Sequence, residues 1–92
     1  MRIDRFLWLA RLAKTRSAAQ TVAESGRIRL DGRVIDRAHV LIRVGQILTL
    51  IRGGKARVLR IEALPVRRGP ALEARSCYAD IAPAIDAPRG ET

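Results

Sequence analysis

Lys14, Thr15, Arg16 and Ser17 stand in a row between two apolar runs, followed by Ala18-Ala19-Gln20. A hydroxyl ahead of an alanine-rich run marks a helix start, because its oxygen accepts from the free amides of the first turn. Thr15 can cap in this way, and so can Ser17, whose spacing to Gln20 fits a reciprocal capping box. The same turn offers unpaired N–H groups and the positive end of the aligned peptide dipoles, which together seat a phosphate. Lys14 and Arg16 place two full charges beside that seat. Arg2, Arg5 and Arg11 come just before, so five of the first sixteen residues are basic and only Asp4 is acidic. Arg27 and Arg29 follow, on the side of an alternating segment opposite Ile28 and Leu30. These residue types at these spacings hold a polyanion by its phosphates.

No second chemistry competes with this one. The seven glycines match neither a dinucleotide fingerprint nor a phosphate-binding P-loop. His39 is the sole histidine and Cys77 the sole cysteine. Neither a metal-ligand set nor an internal disulfide can be built from them. A Ser–His pair would need Ser17, Ser25 or Ser76 beside His39, and no spacing brings them together. The sequence therefore reads as a non-enzymatic protein without metal or cofactor and with no small-molecule substrate.

Charge sharpens the polyanion reading. Residues 1–64 carry fourteen basic and five acidic groups, a net +9, whereas residues 65–92 carry four of each. The excess is confined to the first two thirds, and all but two of the eighteen basic residues are Arg, whose planar fork suits phosphate oxygens. The first apolar run is short and interrupted by Arg5 and Arg11, so it is neither a signal peptide nor a membrane span. A cytoplasmic protein without a membrane partner is expected, acting as a monomer.

The elements that must position these groups follow from periodicity. Phe6, Leu9, Ala10 and Ala13 make one helical stripe over residues 4–13, with Asp4 as its N-cap. A second helix over 15–25 turns Ala18, Ala19, Val22 and Ala23 inward, and Gly26 stops it. About two residues join the helices. Asp31-Gly32 predicts a hairpin, residues 46–52 and 55–64 read as two further strands around Gly53-Gly54, and Pro65 ends the last. A short helix over about 70–79 starts at Pro70, and a flexible tail rich in Pro and Ala follows. Trp8 shares a helix side with Arg5 and Arg11, suited to stacking on a base or to packing in the core.

The pattern Arg2-Ile3-Asp4, Thr15-Arg16-Ser17, Ala18 to Gly26 and Ile28-Arg29-Leu30-Asp31-Gly32 resembles the S4 domain, an RNA-binding module. Asp31 stands where that family usually has Asn, and Val44-Gly45-Gln46 lacks the usual Asp after Gly. Leu7-Trp8, Arg11 and Lys14-Thr15-Arg16, with Arg67-Arg68-Gly69-Pro70-Ala71-Leu72-Glu73-Ala74 and then Tyr78, resemble the ribosome-associated heat-shock protein fifteen family. The long basic C-terminal extension frequent there is not matched, since the chain ends in a short neutral tail.

The resemblance implies an α+β fold, with two N-terminal helices packed on a small, mainly antiparallel sheet of about four to five strands. Residues 1–64 would be the RNA-binding domain and 65–92 a C-terminal extension. The implied partner is structured ribosomal RNA of the large subunit, with transfer RNA as a further partner. The implied role is the recycling or rescue of stalled subunits that carry a nascent chain, within a stress response. Rival readings are a regulatory subunit of an RNA-modifying or ribosome-assembly complex, and a DNA-binding helix–turn–helix regulator. Against the last, helix two exposes little beyond Gln20 and Glu24 for reading bases. The expected RNA contacts are Arg2, Arg5, Arg11, Lys14, Thr15, Arg16, Ser17, Gln20, Arg27 and Arg29.

Overall fold

Alternating apolar residues decide which face of each element turns inward, and the chain closes on one core. The computed structural model describes residues 1–86. Helix α1 is Ile3–Leu9 and α2 is Arg16–Ala23. Strands β1 (Ile28–Leu30), β2 (Arg33–Ile35), β3 (Ile47–Arg52) and β4 (Lys55–Ile61) follow. Helix α3 (Ala71–Arg75) and strand β5 (Tyr78–Asp86) complete the order. The five strands form one antiparallel sheet, β2-β1-β3-β4-β5. The fold is therefore the expected α+β arrangement, with the strand number at the upper end of the range.

Ile28, Leu30, Ile35, Leu48, Leu50, Leu59 and Ile61 line the inner sheet face. They share a buried cluster with Ile3, Phe6 and Leu7 of α1 and with Ala19 and Ala23 of α2. The small alanines let α2 lie close to its neighbours, as the sequence suggested. Arg29, Val34 and Thr49 pair across the opposite face, where Val34 is 59% exposed.

The β1–β2 turn has Asp31 at φ 51° and Gly32 at φ 86°, the left-handed pair that a two-residue hairpin needs. The Asp31 carboxylate accepts from the Ile47 amide at 2.9 Å and from Gln46 Nε2 at 3.2 Å, tying this turn to the start of β3. Gln46 Oε1 in turn accepts from the Arg43 amide at 2.7 Å. The departure from the family pattern at residue 46 thus keeps its turn contact through a longer side chain.

Three local expectations are corrected. Asp4 is not the N-cap of α1; Arg2 takes that position, and Asp4 lies in the first turn. Helix α1 stops at Leu9 rather than running to residue 13, so Ala10–Thr15 rather than two residues join the helices. The last helix is present but ends at Arg75, and residues 78 onward pair with β4 as a fifth strand. An edge strand tolerates Pro83, because proline's missing N–H matters only on a paired side. The expected flexible tail lies, from residue 87, outside the described residues.

Candidate nucleic-acid interface

The loop between the helices is shaped by an unusual helix stop. Arg11 adopts φ 60°, a left-handed conformation that L side chains other than Asn and Asp seldom take. Its amide donates to the Trp8 carbonyl at 3.1 Å, and the Leu12 amide donates to the Leu7 carbonyl at 2.9 Å. These two bonds are the Schellman pattern, which usually places glycine at the left-handed site. The reversal sends Leu12 and Ala13 into the core and leaves Lys14 exposed. Thr15 then caps α2: its Oγ1 accepts from the Ala18 amide at 3.0 Å. Ser17, the alternative cap, lies beside it with Oγ 3.3 Å from Thr15 Oγ1.

Beside this turn lies an open groove of about 360 Å³ lined by Arg2, Asp4, Arg5, Trp8, Arg16 and Gln20. Four of the expected contact residues therefore meet on one concave surface built from α1 and α2. Arg2 is partly engaged there, since its guanidinium donates twice to the Asp4 carboxylate at 3.1 and 2.9 Å. Asp4 also accepts from the Arg5 amide at 2.8 Å, which places its charge at the positive end of α1. Arg5 and Arg16 are exposed and outside every ion pair found among the described residues. Gln20 Nε2 donates weakly to Glu24 at 3.4 Å.

Trp8 forms the groove's apolar wall and packs against the core. The Arg16 guanidinium lies over its ring, 5.0 Å from the centroid, and that of Arg68 lies 5.3 Å from it. Such stacking is worth roughly 0.5–2 kcal/mol and fixes the direction of an otherwise free side chain. Trp8 thus packs half-buried against the core and carries arginines, rather than presenting an empty ring to a base.

Three expected contacts fall elsewhere. Arg11 is bound through Nε to the Gly69 carbonyl at 2.7 Å, away from the groove. Arg27 lines a second shallow surface with Thr21, Val22, Ser25, Ile51 and Arg52. Arg29 is on the open sheet face. The expected basic contacts therefore divide into a groove with its adjoining turn and three outlying positions.

Sequence reasoning missed Arg52 and Arg68. Arg52 Nη2 donates to the Leu12 carbonyl at 2.9 Å. Arg68 donates to the carbonyls of Trp8, Ala13 (3.3 Å) and Lys14 (3.4 Å). Arg67-Arg68 stands in a stretch, residues 65–92, whose net charge is zero, so charge alone does not single it out. Of the titratable groups, Cys77 is pushed up, first by burial and then by the Glu73 charge, so its thiol is a poor nucleophile. Among the described residues no cluster of three metal-ligating side chains occurs, and no helix is long and apolar enough to cross a membrane.

Comparison with known proteins places this geometry. The model of the S4 domain family matches residues 1–48. The chain is similar to heat shock protein 15 of Escherichia coli strain K12, at 30% identity over 86 residues, covering 94% of this chain and 64% of that one. It is also similar to the RQC P-site tRNA stabilizing factor of Listeria innocua, at 38% identity over 64 residues, covering 70% of this chain and 68% of that one. The trimeric structure of Vibrio cholerae heat shock protein 15 superposes with a TM-score of 0.81 at 32% identity, covering 89% of this chain and 82% of that one. The chain thus spans about two thirds of the length of the Escherichia coli relative.

Proposed function

The chain belongs to the S4 domain family and is a homologue of the heat shock protein 15 chains, and from that premise we propose that it is a non-enzymatic, ribosome-associated RNA-binding protein. The observation that carries this reading is the groove in which Arg2, Arg5, Arg16 and Gln20 converge beside the capped N-terminus of α2. Arg5, Lys14 and Arg16 hold phosphates together with the first amides of α2. RNA shape and backbone, rather than base identity, are recognised, since the groove presents forks and amides and its one aromatic ring already carries two guanidiniums.

The partner is structured ribosomal RNA of the large subunit, engaged while transfer RNA with its nascent chain is still bound, in rescue or recycling of stalled subunits in the cytoplasm. This finer role is supported by two relatives, one a heat shock protein and another an RQC P-site tRNA stabilizing factor. The test is sedimentation of the tagged protein on a gradient resolving ribosomal subunits. The protein is expected to co-migrate with the large subunit at low salt. A Lys14→Ala, Arg16→Ala double variant is expected to stay at the top and to show a salt slope of log affinity about two lower. Wild-type protein free at the top under low salt would sink the reading.

A further inference from the structure

Loop 10–15 joins the two helices that build the groove and carries Lys14 just ahead of Arg16, yet few of its backbone groups pair within the loop itself. Its carbonyls are bound from outside: Leu12 by Arg52 of β3, and Ala13 and Lys14 by Arg68. Arg68 also donates to the Trp8 carbonyl at the end of α1 and lies over the Trp8 ring, on which Arg16 rests too. One guanidinium thus touches the helix end, the loop and the aromatic support of Arg16. The link is closed from the other side, where Arg11 Nε donates to the carbonyl of Gly69, the residue after Arg68. Arg68 is part-buried, and no acidic partner is found for it among the described residues.

We propose that Arg68 is a positioning residue for RNA binding, which fixes the Lys14–Arg16 turn and, through Trp8, the direction of the Arg16 guanidinium. The proposal rests on the RNA-binding reading of the groove. It extends that function to a segment outside residues 1–48, the stretch the family model matches. Lysine is not equivalent here, because a single ammonium cannot reach three carbonyls and lie flat on the indole at once.

The experiment uses the full chain and purified large-subunit ribosomal RNA, with affinity measured over a range of salt concentrations. Urea unfolding confirms that each variant is folded, and emission of Trp8, the only tryptophan, reports its surroundings. Arg68→Ala is expected to bind about tenfold more weakly with an unchanged salt slope, because the phosphate-contacting charges remain. Arg68→Lys is expected to restore little of the loss, and both variants to change Trp8 emission in the free protein. Arg16→Ala is expected to lower the slope by about one, and adding Arg68→Ala to it to cost less than the two single losses combined. If Arg68→Ala is unfolded, Arg68→Lys alone decides. Wild-type affinity in Arg68→Lys, or a slope lowered by about one in Arg68→Ala, overturns the proposal by showing a dispensable group or a direct phosphate contact. Wild-type protein that fails to bind the RNA removes the functional reading instead, which separates the two failures.

Discussion

Thr15 does two things with one oxygen: it satisfies the Ala18 amide and so sets where α2 begins. Thr15→Ala leaves every charge in place but loses the cap, and is expected to cost about 1 kcal/mol of stability. Urea denaturation measures that loss, and the salt slope of RNA binding should not change. A second residue-scale expectation concerns Asp80. The Arg57 guanidinium, hydrogen-bonded to it at 2.9 Å, holds its carboxyl below the usual carboxylate range despite a small opposing effect of burial. A folded-state value below the unfolded one means the pair stabilises the fold above the ordinary carboxylate value, about pH 4, and ceases to do so as acid protonates Asp80. Both partners are largely exposed, so the contribution is under about 1 kcal/mol. Asp80→Asn should therefore lower the denaturation midpoint slightly at pH 7, and the difference from wild type should shrink progressively as the pH falls below about 4.

At the scale of elements, what was legible in the sequence was what local chemistry decides. Asp31-Gly32 announced its hairpin because few dipeptides accept two left-handed residues, and Gly26 announced the end of α2 for the same reason. The end of α1 was not legible, because Arg11 occupies a position where glycine would be the signal and is held there by a contact 58 residues away. The groove was legible in its charges but not in its membership, since tertiary packing turned Arg11 toward Gly69 and gave Arg27 and Arg29 other surfaces. Strand β5 was hidden because Ala79, Ala82, Pro83 and Ala84 carry neither β-branching nor a polar alternation. Its place comes from pairing with β4 and from Cys77 and Tyr78, which join the core at its start. A fragment of residues 1–64 lacks this strand and uncovers the β4 edge beside Leu59 and Ile61. It is expected to melt with little cooperativity by circular dichroism and to bind ribosomal RNA more weakly than the full chain. A fragment that melts as sharply as the full chain would show β5 to be an ornament of the fold.

Across the whole molecule, a net +9 confined to residues 1–64 provides long-range attraction to RNA, which salt screens. On the proposal above, the short-range fit depends also on two arginines that follow the helices in the chain, Arg52 within that stretch and Arg68 in the neutral remainder, which bind the end of α1 and the loop after it. The stretch that carries recognition and the stretch that makes recognition rigid are therefore not the same length. Transplanting residues 1–48 onto another scaffold would move the groove's charges while leaving behind Arg52 and Arg68. A designer wishing to reuse this surface would have to carry the clasp along with the hand, or build a substitute for three carbonyl partners at Trp8, Ala13 and Lys14.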